Sequence, residues 1–104
     1  MNDRTKGMIR DREILEWVDQ CKCLNTDQIE LLAFPGMKAG KRKCQMRLKK
    51  LTDQRRLCRW RYGLDQPYAY YHSMNKPVEQ MEHTVLLSWM FIWLLKTYLK
   101  IITS

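Results

Sequence analysis

Eleven of the chain's nineteen lysines and arginines fall in the 24 residues from Lys38 to Arg61, opposed by Asp53 alone. Residue type matters as much as charge there. Arginine can pair bidentately with a guanine edge and glutamine with an adenine edge, so Arg42, Gln45 and Lys49 are candidates for reading bases. Lys38, Lys41, Lys43 and Lys50 suit phosphate contacts, and Arg59 and Arg61, two residues apart on one strand, would continue a phosphate track with Arg55 and Arg56. The window carries about +10 and the remainder about −2, which together give the net +8. A solvated helix usually mixes signs to gain i,i+4 pairs, so a single-sign block predicts attraction to a polyanion, with double-stranded DNA the first candidate.

Other chemistry is weaker. Tyr70, Tyr71 and His72 stand together as in enzymes that nick DNA with a tyrosine, but only His72 and His83 are available and no dense acidic group completes a site. No paired carboxylates, Gly-rich phosphate loop or nucleophile motif is present, so no enzyme activity, catalytic residue or cofactor is expected. Cys21, Cys23, Cys44 and Cys58 form no C-x-x-C pair, and small core fillers are expected in place of a metal site. Residues 1–10 lack the apolar stretch of a secretory signal, which predicts a cytoplasmic protein with reduced thiols.

The elements that would position the basic block follow from apolar periodicity. Asp11 to Lys22 places Ile14, Leu15, Val18 and Cys21 on one side, with Asp11 as N-cap. Asn25 or Thr26 caps a short second helix, Asp27 to Phe34, stopped by Pro35-Gly36. Ala39 to Gln54 buries Cys44, Leu48 and Leu51 as one stripe and turns Arg42, Gln45, Met46 and Lys49 away from it. Leu57 to Tyr62 and Tyr68 to Met74 read as strands joined by Gly63-Leu64-Asp65-Gln66-Pro67. Three helices followed by a basic hairpin is the order of a winged helix-turn-helix, whose third helix would enter the major groove.

A last helix is predicted from Asn75-Lys76-Pro77 onward, dividing the chain into a binding domain over 1–76 and an oligomerisation helix over 77–104. Val78, Met81, Val85, Ser88, Ile92, Leu95, Leu99 and Ile102 alternate in steps of three and four, a heptad seam. Val85, Ser88, Trp89, Ile92, Leu95, Leu99 and Ile102 are therefore the expected homodimer interface. A second row, Leu87, Phe91, Leu94, Tyr98 and Ile101, runs beside it. A helix apolar on nearly all sides must meet more than its own small domain. The uninterrupted apolar run Val85 to Leu95 falls short of the roughly 20 residues of a bilayer span, which favours a subunit over lipid.

The run Leu24-Asn25-Thr26-Asp27-Gln28-Ile29, then Cys44-Gln45-Met46-Arg47-Leu48-Lys49-Lys50-Leu51, Leu57-Cys58-Arg59-Trp60, Tyr70-Tyr71 and His83, resembles the N-terminal winged-helix region of the replication-relaxation family. More broadly the chain is similar to MarR-like and PadR-like winged-helix regulators. The resemblance spans residues 11 to about 95 and implies DNA binding that regulates transcription or replication of a plasmid or other mobile element. The glycine usual between the third helix and the wing is replaced by Arg55 or Arg56, and Ser73-Met74-Asn75-Lys76-Pro77 stands where a Leu-Thr-x-x-Gly element is usual. The fold expectation is thus a mainly α (α+β) winged helix-turn-helix with a long C-terminal dimerisation helix. The competing expectation is a protein-interaction module that docks through that helix and uses its basic face only for solubility.

Overall fold

A computed structural model of the chain describes residues 3–61, 63–73 and 81–103. Its elements are α1 (Asp3–Cys21), β1 (Leu24–Asn25), α2 (Thr26–Ala33), α3 (Gly40–Asp53), β2 (Leu57–Trp60), β3 (Ala69–His72) and α4 (Met81–Thr103). The strands form one antiparallel sheet in the order β1-β3-β2, with Leu24 opposite Tyr70 and Arg59 opposite that same Tyr70. The architecture is mainly helical α+β. Tyr62, Met74, the expected start of the last helix at Asn75 to Pro77, Val78 and the 76/77 boundary lie outside the described residues.

One cluster of side chains joins the first three helices to the sheet: Ile14 and Val18 of α1, Leu24, Ile29 of α2, Cys44, Leu48 and Leu51 of α3, Leu57 and Tyr70. Each leucine or isoleucine so buried contributes roughly 1.5–3 kcal/mol. Asn25 starts α2 with a full capping box, its side chain accepting from the Gln28 amide at 2.8 Å while Gln28 Oε1 accepts from the Asn25 amide at 2.8 Å. Strand β1 ends on that cap residue, and at two residues it is too short to show any alternation in sequence.

Helix α1 begins eight residues before the expected Asp11, and Asp11 is a buried residue inside it, not an N-cap. The segment before it is polar, contains Gly7 and shows little apolar periodicity, so no local pattern marks it as helix. Tertiary ties hold it there instead. Arg10 donates to the Ala33 carbonyl, pairs with Glu13 at 3.1 Å and lies 5.0 Å from the Phe34 ring centroid. A Cβ at Gly7 would come within 3.1 Å of the Arg47 guanidinium, so the missing side chain lets α3 approach.

Helix α4 docks on the same body. The Gln28 amide nitrogen donates to the Val85 carbonyl at 2.8 Å, Ser88 donates to the Cys23 carbonyl at 3.1 Å, and Val85 packs beside Ala69, Tyr71 and Cys23. The Trp17 and Phe91 rings lie 6.2 Å apart. Val85, Ser88 and Ile92 therefore serve the protomer's own packing, although their spacing reads as a seam between protomers. A helix apolar all round satisfies its nearest face first.

Helix α3 ends in a Schellman arrangement, the Arg56 amide donating to the Leu51 carbonyl at 2.9 Å and the Arg55 amide to that of Thr52 at 3.0 Å. Arg55 occupies the left-handed position at φ 60°, where glycine carries no Cβ penalty. Arg55→Gly should raise stability by about 0.5–1 kcal/mol in urea unfolding, and a drop in the midpoint would contradict this reading of the turn.

Candidate nucleic-acid interface

The amphipathic pattern of α3 places its cations. Cys44, Leu48 and Leu51 are fully buried, and Arg42, Lys43, Gln45, Met46, Lys49 and Lys50 are exposed. Lys38 is exposed in the turn before the helix, and Lys41 at its first turn sits 4.0 Å from Asp27, a solvated pair that holds it weakly. Arg47 is the exception. It reaches back to α1, where its Nε donates to Asp11 Oδ1 at 2.8 Å and a terminal nitrogen to the Gly7 carbonyl at 3.4 Å. That pairing neutralises one member of the basic block and sets how α3 is rotated against α1.

The hairpin meets α3 across a cavity of about 250 Å³ lined by Thr26, Gln45, Lys49, Thr52, Asp53, Arg59, Tyr68 and Tyr70. Three of the expected contact residues, Gln45, Lys49 and Arg59, thus converge from two elements on one space. Arg59 and Arg61 lie over the Tyr68 ring at 4.3 and 4.5 Å from its centroid. Cation–π contact of this kind orients both guanidinium groups while leaving their N–H donors for an anion. Burial raises the Tyr70 phenol above its ordinary value, opposed by its hydrogen bond with Thr26 and by the nearby Arg59 charge. Tyr70 is 6% exposed, a core position rather than one open to a phosphodiester.

The remaining expected contacts spread over the flanks. Lys43 lines a separate, mostly apolar groove of about 620 Å³ with Lys6, Ile9, Arg10, Phe34, Met37 and Arg47. Lys6 in that groove and Tyr68 in the hairpin are additions to the residues read from the sequence. Tyr68 faces Arg61 only once the hairpin register is known, and Lys6 lines the groove only because α1 extends back past Asp11. Arg42 and Lys50 stand free on the α3 surface at opposite ends of its exposed face.

Among the described residues no group of three His, Cys, Asp or Glu side chains is placed to hold a metal ion. Burial pushes the Cys23 and Cys44 thiols up to about 12, so both stay protonated at neutral pH, and burial also raises Cys21. The segment His83–Thr103 of α4 is long and apolar enough to cross a membrane by length and composition, despite Lys96 and Lys100 within it. Only 11% of that span is buried against the rest of the protein, so it is not a core helix. Compared with known proteins, the chain matches no family model, no curated protein and no solved structure.

Two outcomes follow. Arg47→Met leaves the buried Asp11 carboxylate unpaired and should cost about 2–3 kcal/mol in urea unfolding, part of which Asp11→Leu in the same chain should restore. Equal destabilisation by the double variant would show that the pair does not hold the two helices. In iodoacetamide labelling at pH 8 the native protein should leave Cys23 and Cys44 unmodified until denaturant is added, as mass mapping of the peptides would read out.

Proposed function

We propose that the chain is a winged helix-turn-helix protein that binds double-stranded DNA, with α2 and α3 as the helix-turn-helix pair and the β2-β3 hairpin as the wing. The observation that carries this reading is the convergence of Gln45 and Lys49 of α3 with Arg59 of the hairpin on one cavity, flanked by Arg61 over Tyr68. A helix and a basic hairpin that share a concave, cationic edge suit a duplex, whose phosphates run along both sides of a groove. Element order and the β1-β3-β2 sheet also fit the winged-helix plan.

In this reading α3 enters the major groove. Arg42, Gln45 and Lys49 meet base edges, and Lys38, Lys41, Lys43 and Lys50 grip phosphates on either side, joined by Lys6 from α1. Arg59 and Arg61, held by Tyr68, follow the backbone from the wing. Arg47 takes no part, because Asp11 holds it. The protein acts by binding, without catalysis, in the cytoplasm, and the resemblance to replication-relaxation proteins points to regulation of transcription or replication of a plasmid or other mobile element.

A fluorescence-anisotropy titration on random duplex DNA at several salt concentrations tests the reading directly. Contact with six or so phosphates gives a log-log slope of roughly −5. A flat salt response would remove the claim. On a site selected from random oligonucleotides, Arg42→Ala and Gln45→Ala should lower preference more than general affinity, and Lys50→Ala should weaken all sequences alike.

A further inference from the structure

With Val85, Ser88 and Ile92 turned toward the protomer's own body, the opposite side of α4 is a second apolar face. Leu86, Leu87, Met90, Trp93, Leu94, Tyr98 and Ile101 are each 51–68% exposed. Together they leave on the order of 800 Å² in water, what one partner of a standard interface covers. An exposed apolar face of that size marks an interaction site.

The spacing along that face says what the partner is. Leu87, Met90, Leu94, Tyr98 and Ile101 lie at intervals of three, four, four and three, all within an arc of about 80° at 100° per residue. The series reads the same in both directions about Leu94. Two identical helices crossing antiparallel at Leu94 therefore place Leu87 against Ile101, Met90 against Tyr98 and Leu94 against its own copy, a self-complementary pairing of the kind two-fold symmetry requires.

A further feature agrees: Trp89, Met90, Trp93 and Leu94 line an open apolar groove of about 280 Å³ at the edge of that face, at the level Tyr98 of a second copy would reach in such a pairing. Lys96 and Lys100 are exposed and lie well outside that arc, Lys96 nearly opposite Leu94, so neither charge enters a pairing on this face.

We infer that the outer face of α4 is the self-association surface of this protein, an antiparallel two-fold helix pair centred on Leu94. Association itself stands independently of DNA, but its consequence rests on the DNA-binding reading: two α3 helices related by a dyad would favour an imperfect palindrome.

Sedimentation velocity of the full chain without DNA tests the pairing. Wild type should sediment as a dimer, and Leu94→Glu, an exposed position whose change is applied twice at the axis, should weaken dimerisation about 100-fold or more. Lys96→Glu, on the far side of the helix, should leave the dimer intact. Under mild oxidation Leu94→Cys should cross-link to itself above the wild-type background, and Leu87→Cys should cross-link only when mixed with Ile101→Cys. A monomeric wild type, a Leu94→Glu protein that still dimerises, self-cross-linking at Leu87→Cys, or a monomer that floats with phosphatidylcholine vesicles would each overturn the inference. A dimer that ignores DNA would remove the DNA reading alone, and a monomeric Leu94→Glu that keeps half-site binding would show the two to be separable.

Discussion

A lysine or arginine enters a protein interior only with a partner, and helix α3 carries six such residues in fourteen positions but finds a buried partner, Asp11, for one of them. This constraint organises the molecule. Cys44, Leu48 and Leu51 can be buried only by rotating the cations out, and the single inward arginine locks that rotation against α1. The lock in turn requires α1 to be long enough to offer Asp11 from its middle and Gly7 one helical turn earlier. The exposed cationic face is thus the consequence of a packing requirement and its one exception.

The same economy of faces governs the sheet. One side of β2 and β3 meets the helical core through Leu57 and Tyr70, and Arg59, on that side but nearer the rim, is brought beside Gln45 and Lys49. The other side carries Ala69 and Tyr71 toward Val85 of α4. A three-stranded sheet with short strands is marginal by itself, so covering both sides with helices is what makes the hairpin a firm platform for its arginines. Tyr68, between the hairpin's basic strand and the cavity, orients two guanidinium groups that would otherwise sweep solvent.

Helix α4 shows how one element serves two ends. Gln28 completes the cap of α2 and, with its remaining amide donor, binds the Val85 carbonyl, so the start of α2 and the seating of α4 depend on one side chain. The inner face is thereby committed, and among the apolar residues left over is the row spaced symmetrically about Leu94. The cationic surface of α3 is left open, since α4 packs on α2, β1 and α1.

By itself the sequence determined the elements with strong local signals: the stripe Cys44, Leu48, Leu51, a cap at Asn25 or Thr26, the breaker at Pro35-Gly36, the strand cores and the long apolar helix. It also determined which cations face outward, because helical geometry assigns every residue an angle once the buried stripe is known. It did not reveal the first turns of α1, strand β1, the role of Tyr68 or which face of α4 turns inward. Each of those was decided by tertiary contact: Arg10 and Arg47 hold a segment without periodicity, β1 exists only because β3 lies beside it, and the hairpin register aligns Tyr68 with two arginines. The inward face of α4 was settled by which of two nearly equal apolar rows had a hydrogen-bonding neighbour, a choice that no one-dimensional pattern encodes.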